Sequence, residues 1–175
     1  MDDEAPRVFT GRLELIAATP SLARAAATSA AALGGVLECE VPRAWPPELM
    51  KDHEADWAQQ LEADPTLAGW NAWYIVQVNP AILVGSIGLS GRPDGNGCVE
   101  CGYALLPSYQ RKGYATEAMG GLIDWAFSHP QVRRIRAHTY RHLAASIRVL
   151  EKNGLSFVGD GDEPDTIRFE LVRPD

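Results

Sequence analysis

The sequence predicts a single α/β domain built on a mixed, mostly antiparallel β-sheet, with about seven strands and about four helices. Three observations lead to this class. The 175 residues are 46% hydrophobic and 22% charged, which is typical of a globular domain with its own core. Short β-branched and aromatic runs between turn residues indicate strands, and longer stretches with apolar residues at helical spacing indicate helices. We take residues 1–175 as one domain, with its core over residues 11–172.

The first half of the chain is expected to form one strand, two helices and then a strand meander. Alternating apolar residues over 13–17 indicate the strand, and the alanine-rich stretch 21–33 indicates a helix that Gly34 and Gly35 would end. Residues 47–64 are helix-forming and predict the second helix. The meander follows as strands at 73–78, 81–89 and 98–105, separated by turn residues.

The second half predicts a crossover that makes part of the sheet parallel. After Gly113, apolar residues recur every three or four positions as far as Phe127, which indicates an amphipathic helix. A strand at 132–139, a helix at 144–153 and strands at 155–158 and 166–172 follow. A strand, a helix and a further strand in this order form a parallel pair in the middle of the sheet. Ligands tend to bind at the carboxyl ends of strands at such a point, which directs attention to residues 105–115.

The turn Gln110-Arg111-Lys112-Gly113-Tyr114-Ala115 opens the helix that follows Gly113. Backbone N–H groups at a helix N-terminus lack intrahelical partners and lie at the positive end of the dipole, so they favour an anion such as a pyrophosphate. Gly113 permits close approach of a ligand to the backbone, and Arg111 and Lys112 add positive charge. The alternative is a solvated loop whose glycine only relaxes the turn. The segment is not a P-loop, because no Lys-Ser/Thr pair follows the glycine.

Three segments of the chain resemble the GNAT family of N-acetyltransferases. Gln110-x-x-Gly113-x-Ala115 fits the family signature Gln/Arg-x-x-Gly-x-Gly/Ala, which binds the pyrophosphate of acetyl-CoA. Residues 99–103, 113–118 and 145–154 are similar to the branch that contains the Rim-type ribosomal-protein acetyltransferases. The resemblance implies a GNAT-like fold with a central parallel splayed pair of strands. It further implies an acyltransferase that moves the acetyl group of the cosubstrate acetyl-CoA directly to a primary amine, without a covalent enzyme intermediate.

The resemblance also implies roles for individual residues. Glu100 matches the position of the family's general base, and Ser146 matches a serine that hydrogen-bonds the departing sulfur. A backbone N–H around Leu105 would stabilise the oxyanion. The residues implied in cofactor binding are Leu105, Gln110, Arg111, Lys112, Gly113, Tyr114, Ala115 and Thr116.

Several readings of these residues stay open at this point. Glu100 is alternatively a structural carboxylate paired with an arginine, and Ser146 an early helix residue that bonds its own backbone. Tyr114 and Tyr140 are further candidates for the acid. Leu143 stands where the family usually has an asparagine that touches the cofactor, so a non-catalytic acyl-CoA-binding sensor or interaction module is the alternative function.

Charge and cysteine content limit the partners. A net charge of -7 argues against a nucleic-acid binder, whose affinity depends on Lys and Arg. The segment 110–153 nevertheless carries +5 and the remainder -12, which suits one anionic and one cationic substrate. Cys98-Val99-Glu100-Cys101 is not expected to bind metal, because residues three apart on a strand point to opposite faces. An acidic start and the absence of a long apolar stretch favour a cytoplasmic protein without membrane contact. The amine acceptor is unidentified, and a homodimer is left open.

Overall fold

The computed structural model describes residues 4–175 and consists of one eight-stranded mixed sheet with five α-helices. The predicted α/β class is confirmed. Residues 1–3, on which the expectation of an acidic start partly rests, lie outside the described residues. Within residues 4–175, no helix is both long and apolar enough to span a bilayer.

The strands follow one another as a meander in the first half of the chain. They are β1 (Arg7–Phe9), β2 (Leu13–Ala17), β3 (Ala72–Val78), β4 (Ala81–Leu89), β5 (Cys98–Leu105), β6 (Arg134–Tyr140), β7 (Ser156–Asp160) and β8 (Thr166–Val172). Their spatial order is β1-β2-β3-β4-β5-β6-β8-β7, and among these pairings only β5 with β6 is parallel. This is the parallel pair that the crossover predicts.

Five helices and three short 3₁₀ turns connect the strands. The helices are α1 (Pro20–Thr28), α2 (Ala30–Leu37), α3 (Glu54–Ala63), α4 (Tyr114–Phe127) and α5 (Ala144–Lys152). The 3₁₀ turns are Glu48–Met50, Pro65–Leu67 and Pro107–Tyr109. The helix expected over 47–64 therefore begins later, at Glu54.

The structure has one strand and one helix more than the sequence predicts, and each difference has a local cause. β1 has three residues, too few for an alternating pattern to show, and it is held by pairing with β2. The single helix expected over 21–33 is two helices, because Ser29 adopts an extended backbone and its side chain accepts a hydrogen bond from the Ala32 N–H. Gly34 does not end a helix. A Cβ there would lie 2.8 Å from the Cys39 carbonyl oxygen, so the glycine permits close packing inside α2.

The helices cover the two faces of the sheet and create a core on each. α4 and α5 pack on one face, where Met119, Leu122 and Leu150 join the apolar side chains of β2 to β6 and β8. α1, α2 and α3 pack on the other face, where Leu22, Leu33 and Leu61 contribute to a second cluster with residues of β2, β3 and β4. The opposite face of β5 and β6 is left outside this second cluster.

The parallel pair diverges toward its carboxyl end. β5 and β6 are in register only from Cys98 opposite Arg134 to Glu100 opposite Arg136. Beyond Glu100, the remaining residues of β5 up to Leu105 pair with β4 alone. The two strands therefore separate within the sheet, which confirms the expected splayed pair and opens a gap between them.

Candidate active site

A cleft of about 1080 Å³ occupies the gap between β5 and β6. Its walls are residues 100–105 of β5, residues 137–140 of β6, the turn before α4 and the inner side of α5. On the side of α3, the cleft is lined by Pro47, Glu48 and Leu49. On the side of the loop between β7 and β8, it is lined by Asp162 and Glu163. The cleft thus has walls from elements on both faces of the sheet, with the splayed strands between them.

The turn before α4 presents free backbone donors to this cleft. Gly113 is the N-cap of α4, with φ 81°, and no side chain caps the helix there. Arg111 also has a positive φ of 63°. The N–H groups of the first turn are consequently left without a side-chain acceptor at the positive end of a 14-residue helix. This is the arrangement expected of an anion site.

Seven of the eight residues expected at the cofactor line the cleft, and Lys112 does not. The lining residues among them are Leu105, Gln110, Arg111, Gly113, Tyr114, Ala115 and Thr116. The Gln110 side chain donates to the Leu105 carbonyl oxygen at 3.1 Å and so ties the turn to the end of β5. The backbone carbonyl of Lys112 instead contacts a residue in the turn between β1 and β2.

That residue is Arg12, which the sequence did not mark as functional. Its Nη1 donates to the Lys112 carbonyl oxygen at 2.8 Å, and its Nε donates to Glu117 Oε1 at 3.1 Å. The guanidinium also lies 4.6 Å from the centre of the Tyr114 ring. Burial raises the pKa of Glu117, but hydrogen bonds from Thr10 and Arg12 outweigh it and lower that pKa below its ordinary value. Arg12 therefore braces the turn from outside the cleft.

Glu100 lies on the face of β5 opposite α4, as strand alternation predicts. Val99 and Cys101 point into the core beneath α4, so the carboxylate between them points the other way. Glu100 Oε1 lies 2.7 Å from Nδ1 of His138 on β6. The alternative reading, a structural pair with an arginine, does not describe this contact, because the hydrogen-bond partner is a histidine.

His138 is another site residue that the sequence did not indicate, since an isolated histidine at a strand end is usually an ordinary core or surface residue. The feature that brings His138 close to Glu100 is the register of β5 with β6. Arg136 pairs with Glu100 in the parallel ladder, so His138, two residues further along β6, lies on the same face as Glu100. Only knowledge of the register could have brought these two side chains together.

Ser146 is held in a hydrogen-bonded group on the α5 side of the cleft. Thr139 Oγ1 donates to Ser146 Oγ at 2.9 Å, so the reading in which Ser146 only bonds its own backbone does not describe its contact. Burial raises the pKa of Tyr103, and a hydrogen bond with Ser146 partly offsets that effect. Tyr103 is thus the phenol beside Ser146, a neighbour that the sequence did not indicate.

The two tyrosines considered as further acids stand elsewhere. The Tyr114 hydroxyl donates to Gln77 Oε1 on β3 at 2.7 Å, which directs it away from the gap between β5 and β6. Tyr140 lines the cleft but is 44% exposed, with its ring centre 5.7 Å from that of His142. Leu143 also lines the cleft, immediately before α5, and it provides no side-chain cap for the helix.

Cys98 and Cys101 do not form a paired ligand set. Cys101 is buried beneath α4 and burial raises its thiol pKa to about 12, whereas Cys98 lies on the opposite face of β5. Over residues 4–175, no group of three or more His, Cys, Asp and Glu side chains is arranged to hold a metal ion.

Comparison with known proteins identifies the fold and the family. The family described as "Acetyltransferase (GNAT) domain" matches residues 12–156. The chain is 42% identical over 86 residues to a Bacillus subtilis protein named "Uncharacterized N-acetyltransferase YjdG", covering 49% of this chain and 51% of that protein. It therefore spans about half the length of this curated relative.

Two solved structures share the fold over nearly the whole chain. The ribosomal-protein-S5-alanine acetyltransferase of Vibrio fischeri superposes with a TM-score of 0.71 at 20% identity, covering 97% of this chain and 98% of that one. Mycobacterium smegmatis RimJ in complex with CoA-disulfide superposes with a TM-score of 0.64 at 19% identity, covering 96% and 86%. The family match covers most of the chain, from just before β2 to the start of β7, and includes the splayed strands and the turn before α4. The protein belongs to the GNAT acetyltransferase family.

Proposed function

We propose that this protein is an N-acetyltransferase that transfers the acetyl group of acetyl-CoA directly to a primary amine. The observation that carries the proposal is the cleft between β5 and β6. It joins the uncapped N-terminus of α4 to Glu100, which lies on the opposite face of the sheet. A thioester donor entering from one face and an amine entering from the other would meet between the strands.

The cofactor end of the cleft has the charge and backbone geometry that a pyrophosphate requires. The first-turn N–H groups of α4 and Arg111 supply donors and positive charge, and Arg148 and Lys152 of α5 also line the cleft. The GNAT family match supports acetyl-CoA as the ligand, and the CoA-bound relative of the same fold agrees with this. No metal is needed for this chemistry, because a thiol has an ordinary pKa of about 8.5 and its thiolate is a good leaving group.

Glu100 is our candidate for the general base. An amine is protonated near neutral pH and must lose a proton before it can attack the thioester carbonyl. The N–H bond of the ammonium would break as an O–H bond forms on the Glu100 carboxylate. Gly102 beside it leaves open space, since a Cβ built there meets no heavy atom within 4 Å. Acidic side chains at the same end, Glu48 and Asp162, favour a cationic acceptor.

Ser146 would hydrogen-bond the departing sulfur, and a backbone N–H near Leu105 would stabilise the developing oxyanion. A hydroxyl is a weak acid, so orientation of the thiolate describes the role of Ser146 better than proton donation. Tyr103 and Thr139 support that hydroxyl. Collapse of the tetrahedral intermediate would break the C–S bond, and the second amine proton would pass to the departing thiolate, so that CoA leaves as the thiol and no acetylated enzyme forms.

A protein N-terminus is one acceptor class to examine, because the Vibrio fischeri relative is named for acetylation of a ribosomal-protein alanine. Small-molecule amines form the other class. Each would enter between the Pro47–Leu49 side of the cleft and the loop that carries Asp162.

The direct test is thiol release from acetyl-CoA with a panel of peptide N-termini and small amines. We expect amine-dependent release by the wild type and a loss of at least about 100-fold in kcat for Glu100→Gln, the size of a general-base contribution. Glu62→Gln is the matched control, since Glu62 is 61% exposed on α3 and pairs with Arg24. If the protein binds CoA but no amine gives release, the sensor function replaces the enzyme.

A further inference from the structure

Glu100 is one end of a line of three charged or titratable side chains. His138 Nδ1 lies 2.7 Å from Glu100 Oε1, and His138 Nε2 lies 3.6 Å from Asp162 Oδ2. The second distance exceeds a hydrogen bond, and Nε2 is buried without a hydrogen-bond partner. The imidazole therefore lies between two carboxylates, with its short contact to the one that faces the acceptor end of the cleft.

Packing fixes the position of the imidazole. The side chain of His138 is 17% exposed, against 41% for Glu100 and 78% for Asp162. The loop between β7 and β8 lies directly on the ring, because a Cβ built on Gly161 would be 2.9 Å from His138 Cδ2. The charged groups that face His138 are Glu100 from β5, Asp162 from this loop and Arg168, its register partner on β8.

We propose that His138 is a positioning residue for Glu100, an inference that rests on the proposed function. With its Nδ1–H donated to Oε1, the imidazole fixes the carboxylate by one oxygen and leaves Oε2 to take the amine proton. When Nε2 also carries a proton, its N–H faces Asp162, and Asp162 then favours the orientation in which Nδ1 points to Glu100. His138 itself need not touch the substrate, so its effect passes through Glu100.

The hydrogen bond explains why an exposed carboxylate would be held in one place. Glu100 is 41% exposed at the last position where β5 pairs with β6, and a glutamate side chain with no fixed contact there would sample several rotamers. A general base must lie within hydrogen-bond reach of the proton that it removes. The His138 contact therefore restricts Glu100 to a position from which transfer is productive.

Two substitutions of similar size separate positioning from packing. His138→Leu removes the donor and should lower kcat at least about tenfold, a part of the ~10²–10⁴ that a general base contributes. The KM for acetyl-CoA should stay within about twofold, because the cofactor turn is not touched. His138→Asn restores an N–H donor near the position of Nδ1 and should keep kcat within a few-fold of the wild type. Equal losses for both variants would contradict positioning and indicate packing.

A double-mutant cycle with Glu100→Gln provides the second readout. His138→Leu should have no further effect on kcat once Glu100 is Gln, because its action passes through that carboxylate. Additive losses would overturn the inference. If His138→Leu does not fold, His138→Gln takes its place in the cycle, since its amide is displaced by one methylene from the Nδ1 position.

The outcomes also separate this inference from the proposed function. If Glu100→Gln keeps wild-type kcat, the proposed base is wrong. If Glu100→Gln is impaired and His138→Leu is not, only the positioning role fails. Asp162→Asn should lower kcat measurably, whereas Asp165→Asn, which removes the same charge from the same loop at a residue with φ 63° that suits asparagine, should not. Equal activity of these two variants would contradict the part assigned to Asp162.

Discussion

Substitution of Gly113 by alanine tests the cofactor turn with a magnitude that follows from the backbone. Gly113 has φ 81° and ψ 6°, a left-handed conformation that costs a residue with a Cβ about 1–2 kcal/mol. The new Cβ would lie 3.2 Å from Arg12 Nη2, the end of a flexible side chain, so steric conflict adds little. If the turn relaxes to relieve the strain, binding of CoA must restore it. The dissociation constant should then rise about 5- to 30-fold.

Gly91→Ala is the matched control for this experiment. Gly91 has φ 99°, and a Cβ built there meets no heavy atom within 4 Å, so it carries the same backbone strain without steric conflict. It lies in the turn between β4 and β5, outside the cleft lining. Gly91→Ala should lose about 2–8 °C in Tm. Gly113→Ala should lose less, because relaxation of its turn moves the cost from folding to binding, and calorimetry with CoA should find weaker binding only for Gly113→Ala. An unchanged dissociation constant for Gly113→Ala would refute the placement of the pyrophosphate at this turn.

Three further predictions concern the groups around the cleft. Arg12→Ala removes the hydrogen bond to the Lys112 carbonyl and should raise the KM for acetyl-CoA about fivefold or more, with kcat nearly unchanged. Arg7→Ala is the control: it removes only the pair with Glu14 and should leave both constants unchanged. Glu117 has a folded-state pKa below its ordinary value of 4.5, so its contribution to stability is present above pH 4.5 and is lost as pH falls through the folded pKa. The Tm difference between wild type and Glu117→Gln should therefore shrink in acid; a difference that is constant with pH would contradict this. Ser146→Ala should lower kcat about fivefold, which corresponds to the loss of one hydrogen bond. Ser156→Ala, on the exposed strand β7, should leave kcat unchanged. Equal kcat for these two variants would exclude the role given to Ser146.

The elements predicted best from the sequence have strong local signals. The bounds of β4, β5 and β8 agree with the predictions because turn residues precede or follow each of these strands, and α4 begins directly after the glycine that was expected to precede it. The break between α1 and α2 was not predicted. It lies in an otherwise alanine-rich stretch, where the side-chain cap of Ser29 determines the boundary.

Local sequence signals also explain which parts of the candidate site were predicted. Strand alternation placed Glu100 on the open face, and the glycine turn was recognised from its motif. Arg12 and His138 were not predicted, because each acts through a contact between distant segments. Arg12 reaches Glu117, which is 105 residues away in the chain, and His138 reaches Glu100 across a strand pair whose register the sequence does not encode locally. Lys112 lies outside the cleft lining, and its carbonyl oxygen accepts a hydrogen bond from Arg12, a contact that depends on the loop geometry.

Direct transfer of the acetyl group in the cleft is tested by one single-turnover measurement. Enzyme in excess would be mixed with acetyl-CoA labelled in its acetyl group and with an amine that supports thiol release, and protein and amine would be weighed by intact mass spectrometry. We predict that all of the label appears in the amide of the acceptor and none on the protein at any time. An acetylated protein that forms at the rate of thiol release and then passes its label to the amine would contradict the proposed mechanism.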